Sequence, residues 1–367
     1  MIKLNAINDL KRHTLPIERE LSAATSRVIN SGWFAMGPEV NAFEAEFSEY
    51  LGIENTVSLA NGTDALRMAL LASGATSGSK VLTVANAGMY STVAILGVNA
   101  TPIYTDVHYS NALIDEEKAN AIIASGKVDI VIVTHLYGMM ADIASIVDTA
   151  KRHNVIVIED CAQSHGAIRG RAKSGTIGDI GCFSFYPTKN LGALGDGGAI
   201  VTNSSKYANI VRKLRQYGWG EKYNCELENG ENSRLDEIQA AILRVKLPRL
   251  DVYNKRRRDI ARSYVSGIRN TKVELFEMSD NEDYVAHLFV LKVRERELLA
   301  NYLRTKGIPC DIHYPIADYK QQSCSYKFNS TFCPVTERLT NEVLTLPCFP
   351  EMENEEINYI IDCVNEW

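Results

Sequence analysis

The sequence predicts an α/β protein with a large, mainly parallel mixed sheet and a second, smaller α+β domain. Three observations predict it. Over roughly the first 250 residues, helical patterns alternate with short β-rich runs. Two of these runs, Asp129–Thr134 and Val155–Ile158, contain continuous apolar stretches, as strands buried on both faces require. After Pro248 the texture changes to a charged helical stretch followed by shorter β-like segments. With 367 residues the chain exceeds what one core usually organises. The expected division is 1–250 for the large domain and 251–367 for the small one, with the N-terminal segment in contact with the latter.

Each element has its own signal. Pro38–Tyr50 reads as a helix: proline suits a first turn, where its missing N–H costs nothing, and Val40, Phe43, Phe47 and Tyr50 fall on one face. The β-rich runs of the large domain are Lys80–Val84, Thr101–Tyr104, Asp129–Thr134, Val155–Glu159 and Ala199–Thr202. Beyond Pro248, a helix is expected from Asp251 to about Ile268. Next come β-like segments at Lys272–Phe276 and His287–Val293, a helix near Glu295–Lys306, and the segment Ile308–Tyr314. No internal repeat or low-complexity stretch interrupts this order.

Composition narrows the function classes. Hydrophobic residues make up 46% and charged residues 23%, which excludes disorder and collagen-like architecture. The 39 Lys+Arg against 45 Asp+Glu leave a net charge of -6, so no general attraction to nucleic acid or anionic membrane is expected. Met1–Ala6 lacks the layout of a signal peptide, and no run reaches the ~20 apolar residues of a membrane span. The eight cysteines form no CxxC pair, and reduced thiols in a cytoplasmic protein are the expectation.

Three segments carry chemistry. Val155–Asp160 is an apolar strand that delivers a carboxylate to its C-terminal end, where open α/β sheets hold ligands. That acid could bind a metal, a ribose or a protonated ring nitrogen, or simply cap a helix. In Gly181–Gly198 an aromatic run leads to Lys189, followed by glycines at 192, 195, 197 and 198. A lysine in a partly apolar setting loses charge more readily, and its amine becomes nucleophilic. In Ala60–Leu66, small and polar residues precede a helical run, so exposed N–H groups could hold a phosphate, or Asn61 or Thr63 could serve as an ordinary cap. Together these features meet the needs of pyridoxal phosphate: donors for its phosphate, a lysine for its aldehyde and a carboxylate for its ring nitrogen.

At these residues the chain resembles the DegT/DnrJ/StrS-type sugar aminotransferases, pyridoxal phosphate enzymes of the aspartate aminotransferase fold (fold type I). The motifs run in order from Ser31–Gly37 through Asn61–Thr63, Glu159–Gln163, Ser184–Lys189 and Asn232–Glu237 to Ile312–Pro315. The resemblance implies Lys189 as the Schiff-base lysine and Asp160 as the partner of the ring nitrogen. It sets Gln163 near the cofactor's phenolic oxygen, and Gly62, Thr63 and Ser184 on the phosphate. Asn232 matches an asparagine that reaches across to the neighbouring subunit's phosphate site, which implies a homodimer with a shared active site. One position departs from the pattern. Where the family usually sets an aromatic residue over the ring, this chain aligns Met89, with Tyr90 beside it.

Pro187–Gly198 and His135–Gly138 look most like the enzymes that aminate C3 of a nucleotide-linked 3-keto-6-deoxyhexose; the resemblance implies a dTDP sugar, a surface-polysaccharide pathway such as O-antigen, and glutamate as amino donor. By the same resemblance Tyr186, Lys222, His313 and Tyr314 are contacts to the sugar nucleotide, or plain packing and surface residues. The alternatives are C4 amination, a scyllo-inosose acceptor, a sugar dehydratase, which carries histidine where this chain has Lys189, and a non-catalytic sugar-nucleotide sensor. Lys255–Arg258 reads as a solvated helix face, and Cys310 with His313 has too few partners for a metal site, so none is expected.

Overall fold

The computed structural model describes residues 4–279, 281–324, 327–328 and 331–367; residues 1–3 of the Met1–Ala6 segment lie outside them. Seven strands form the large sheet: β1 (Asn55–Leu59), β2 (Lys80–Val84), β3 (Thr101–Thr105), β4 (Ile130–Thr134), β5 (Ile156–Asp160), β6 (Ile180–Ser184) and β7 (Gly198–Thr202). Their order across the sheet is β1-β7-β6-β5-β4-β2-β3. From β6 to β3 all neighbours are parallel, while β7 runs antiparallel to both β1 and β6. The sheet is buried on both sides, and β4 shows how. Ile130 and Ile132 join one apolar core while Val131 and Val133 join another, the two-residue period of a doubly covered strand.

The C-terminal ends of β1, β5 and β6 therefore lie on one edge of the sheet. The reversed strand β7 begins at that edge, where Gly198 pairs with Leu59 on one side and Ser184 on the other. A Cβ on Gly198 would lie 2.3 Å from the carbonyl of Asn61, so glycine is required for the chain to turn there into the helix Gly62–Ala72.

A second, antiparallel sheet comprises β8 (Val273–Leu275), β9 (Phe289–Val293) and β10 (Val343–Leu346). Helices Leu250–Gly267, Arg296–Thr305 and Asn354–Glu366 pack with it. Val133 of the large sheet and Phe289 and Leu291 of the small one belong to one continuous apolar cluster. The N-terminal segment ties in beside them: the Leu4 amide donates to the Gly307 carbonyl (3.2 Å) and the Cys348 amide to the Ile7 carbonyl (3.3 Å). Ile308–Tyr314 forms no strand and contributes a single bridge, Asp311 to Thr345.

The basic run corrects an expectation. Lys255 is exposed and pairs with Asp259, but Arg257 is buried. Its guanidinium donates to the carbonyl of Cys348 at 2.5 Å and to that of His287 at 3.5 Å. One residue in each turn of a helix faces inward, and here it is a cation whose N–H groups are met by backbone oxygens. The run is not a uniformly solvated face.

Candidate active site

The cradle is assembled first. Helix Gly62–Ala72 starts directly after β1, and the Asn61 side chain caps it by accepting the Asp64 amide at 2.8 Å. The amides of Gly62 and Thr63 have no acceptor within the helix, as in any first turn. Both residues line a cavity of about 550 Å³ together with Ser184, Asp160, Tyr90, Tyr186 and Lys189. A Cβ on Gly62 would sit 2.6 Å from the Cβ of Ser184, so the missing side chain is what lets the end of β6 meet the helix N-terminus. Two amides and two hydroxyls thus converge where the helix dipole favours an anion.

Two adjacent acids at the end of β5 have opposite surroundings. Glu159 is fully buried and takes hydrogen bonds from the amides of Gly175 (3.0 Å), Ile177 (2.7 Å) and Gly178 (2.6 Å) and from Nε2 of His135 (2.9 Å). Burial raises its pKa, yet the His135 bond and these amides outweigh it and hold the carboxyl below its ordinary value. Among the described residues, the Asp160 side chain is met only by the Ala162 amide at 3.2 Å and by a long contact from Thr134 at 3.4 Å. Burial dominates there and raises its pKa, with Ala162 and Lys189 opposing. Glu159 is a finished structural carboxylate, whereas Asp160 is a buried acid short of donors and facing the cavity. Among the described residues, His135, Glu159 and Cys161 form the one cluster with three ligand-type atoms within 4.8 Å of one another. Their lone pairs are already engaged, since Nδ1 of His135 accepts the Ala141 amide at 3.1 Å and Glu159 accepts four donors.

Lys189 lies on the loop between β6 and β7. Its amide donates to the Tyr186 carbonyl, and neighbouring residues are held from several elements. Buried Lys246 donates to the Gly192 carbonyl (2.7 Å), the Leu194 amide to Gln239 (2.9 Å), and Asn8 to the Thr188 carbonyl (3.0 Å). Burial lowers the Lys189 pKa to about 8, with Asp160 opposing the shift. At pH 8 about half of its amine is therefore uncharged, far more than for a lysine of ordinary pKa. Lys189, Tyr90 and Tyr186 also line a second cavity of about 410 Å³, whose other walls include Gln163, His287, His313 and Tyr314. The lysine stands where the two cavities meet.

Gln163, on the second cavity, is held from two sides. Its Oε1 accepts the Tyr137 amide (2.6 Å) and its Nε2 donates to the Tyr314 hydroxyl (3.1 Å). His313 bonds through Nδ1 to Thr345, and its carbonyl accepts from the Tyr137 hydroxyl. Of the pair Met89 and Tyr90, Tyr90 lines both cavities and Met89 lines neither. Met89 takes a left-handed backbone (φ 71°) at the start of helix Tyr90–Gly97, and its amide is held by Asp318. Lys222 and Asn232 are not brought to either cavity of their own chain. Both are exposed, on the stretch that carries the hairpin Trp219–Cys225, and Asn232 pairs only as a bridge with Gln216. His287 is a cavity residue that the sequence did not reveal; its only local signal is an imidazole at the mouth of an apolar strand.

His165 sits beneath the Lys189 loop, against the rings of Phe183 and Phe185. Among the described residues neither ring nitrogen makes a well-formed hydrogen bond, and the backbone of Ser184 only partly offsets the burial. Burial, then the charge of Lys189, lowers its pKa to about 3. The unfolded chain takes up a proton near pH 6.5 that the fold refuses until about pH 3, so this group's effect is absent above pH 6.5 and destabilises progressively below it. A His165→Leu protein should lose less melting temperature than the parent between pH 6.5 and 4.5. Parallel melting curves over that range would show that the histidine is not the cause.

Comparison with known proteins adds three findings. Residues 16–365 match the model of the DegT/DnrJ/EryC1/StrS aminotransferase family. The chain is 42% identical, over 98% of each chain, to a dTDP-3-amino-3,6-dideoxy-alpha-D-galactopyranose transaminase of Aneurinibacillus thermoaerophilus. Its fold matches that of S. venezuelae DesV, solved in complex with a ketimine intermediate, with a TM-score of 0.96 at 34% identity, covering 100% of this chain and 99% of that one.

Proposed function

Because this chain belongs to the DegT/DnrJ/EryC1/StrS aminotransferase family and is a pyridoxal phosphate-dependent aminotransferase, we propose that it aminates C3 of a nucleotide-linked 3-keto-6-deoxyhexose with glutamate as amino donor. The observation that carries this reading is the position of Lys189 at the junction of two cavities, one built for an anion and a cationic ring, the other rimmed by hydroxyls and imidazoles.

The residues present fit the cofactor. Gly62, Thr63 and Ser184 would hold its phosphate, Asp160 its protonated ring nitrogen, Gln163 its phenolic oxygen and Lys189 its aldehyde carbon. Asp160, buried and short of donors, is the group that a cationic N–H would complete. When bound, the cofactor supplies an electron sink for the carbanion formed at the reacting carbon. Lys189 Nζ takes the α-proton of the donor and later delivers a proton to the carbon of the acceptor. Its lowered pKa keeps the amine available as a base. Tyr90, rather than Met89, covers the ring in this reading, because Tyr90 is the one that borders the cavity. Tyr186, His313 and Tyr314 orient the sugar.

Asn232 and Lys222 enter through a second copy of the chain. Their distance from their own cavities, and the exposure of Trp33, Phe34 and Tyr223, support a homodimer in which Asn232 completes the partner's phosphate cradle and Lys222 meets the substrate's diphosphate. No helix of the described residues is long and apolar enough to cross a membrane.

The test is one assay. Several dTDP-ketosugars, a UDP-ketosugar and scyllo-inosose are offered with glutamate, and products are read by mass. A gain of an amine on the 3-keto sugar is expected. Amination at C4, transfer to the inositol, loss of a hydroxyl, or binding without turnover would each replace the reading. The cradle has its own check. Gly62→Ala drives a methyl group against Ser184 and should weaken cofactor binding by about tenfold or more. Titration of the apoprotein with pyridoxal phosphate measures this; unchanged affinity would remove Gly62 from the cradle.

A further inference from the structure

His287 lines the substrate-side cavity with Lys189, and it has no part in the steps above. A buried network decides which of its nitrogens carries the proton. The Asn254 side-chain amine donates to the carbonyl of His165 at 2.8 Å, and a carbonyl can only accept. Asn254 Oδ1 therefore faces Asn190, whose amine donates to it at 2.8 Å and to the Val285 carbonyl at 3.0 Å. With its amine so committed, Asn190 presents its oxygen to His287 Nδ1, 3.0 Å away. An oxygen there accepts, so Nδ1 must donate. The two amide orientations are fixed by backbone carbonyls, and the tautomer of His287 follows from them.

Burial, with Lys189 and Arg257 nearby, lowers the His287 pKa well below its ordinary value, so the ring is neutral. A neutral imidazole protonated at Nδ1 has a lone pair on Nε2. Among the described residues nothing donates to that nitrogen, and it is not among the sealed polar atoms. We propose that His287 is a specificity residue whose Nε2 accepts a hydrogen bond from a hydroxyl flanking the reacting carbonyl of the acceptor sugar. The surroundings favour this occupant. The cavity wall already offers hydroxyl and ammonium donors at Tyr186, Tyr314 and Lys189, but a pure acceptor there selects a ligand that brings its own O–H. Asn190, one residue from Lys189, is held by the same network, so the acceptor is fixed relative to the reacting amine.

This rests on the proposed acceptor class, and the experiment separates the two. Wild-type protein is assayed with the 3-keto acceptor and with its 2-deoxy and 4-deoxy analogues, alongside His287→Leu. The wild type should lose 10- to 100-fold in kcat/KM on one analogue. His287→Leu should lose the same factor on the hydroxylated acceptor and nothing further on that analogue. A variant that discriminates like the wild type overturns the proposal. Nitrogen NMR of the labelled holoenzyme reads the tautomer independently of turnover: protonation at Nδ1 is expected, and a proton on Nε2 overturns the assignment even if transfer proceeds. If the wild type aminates none of the three sugars, the acceptor class fails and takes the hydroxyl contact with it, while the spectrum still decides the tautomer.

Discussion

A Lys189→Arg protein is expected to fold, to retain the phosphate cradle and to lose amino transfer by at least about 10³-fold. Arginine preserves a cation and a long aliphatic stem, so packing of the loop changes little. Its guanidinium stays protonated at every pH of interest and cannot serve as nucleophile or base. The lysine differs because its burial brings its pKa to about 8. Two readouts separate a chemical role from a structural one. The visible absorbance band of the holoenzyme should vanish in the variant while its melting temperature stays near that of the parent. The rate at which wild-type apoprotein takes up pyridoxal phosphate should climb as pH rises toward 8, because the uncharged amine is the reacting form, and level off above it. A variant with the band intact and turnover at the normal rate would remove Lys189 from the chemistry.

The strands that the sequence revealed are those whose burial is written in apolar runs. Ile130–Thr134 and Ile156–Asp160 lie in the middle of the sheet, covered on both faces, and their apolar runs Ile130–Val133 and Ile156–Ile158 report it. Asn55–Leu59 is just as buried but carries Asn, Thr and Ser. Its polar atoms are satisfied from afar: Ser58 bonds Glu44, and Arg215 reaches the Ser58 carbonyl across 157 positions of chain. No local pattern encodes such partners, so the sequence predicts no strand there. Ile180–Ser184 is hidden from a sequence pattern for another reason. Its alternation is broken by Gly181, which must be small because a Cβ there would lie 2.6 Å from Gly175. Val343–Leu346 is four residues long, too short for periodicity to declare itself.

The site divides along the same line. Asp160, Thr63 and Ser184 sit in local motifs at the end of a strand or the start of a helix, Lys189 in the loop that follows such a strand, and the family resemblance assigns them together. His287 belongs to no motif of that kind. Its meaning arises from Asn190, 97 residues away in the chain, and from Asn254 on the helix Leu250–Gly267, and only folding brings the three into one chain of hydrogen bonds. The choice between Met89 and Tyr90 was likewise beyond the sequence, because it turns on a left-handed backbone at Met89 that sends the next side chain, not this one, toward the cavities.

Asp160→Asn should cost on the order of 10²–10³-fold in kcat with little loss of stability, and its neighbour provides the control. Asparagine matches the shape of aspartate and can still accept from Ala162, so the fold keeps its contacts. It cannot hold a proton on the ring nitrogen, because it carries no charge to stabilise the cationic form. Removing the charge also relieves a buried, poorly supplied carboxylate, so the melting temperature of the apoprotein should stay level or rise. Glu159→Gln should do the reverse. Its carboxylate takes three amides and the His135 N–H, and an amide in that place turns an –NH₂ toward backbone donors that have nowhere else to go. A stability loss of about 1–3 kcal/mol follows for a donor so stranded. The loss in turnover should be modest once the protein is folded. The pair can be read from two curves each, thermal melting and single-turnover amination followed through the cofactor's absorbance. If Asp160→Asn destabilises strongly while its chemistry survives, Asp160 is a structural acid like its neighbour, and the cationic ring has some other partner.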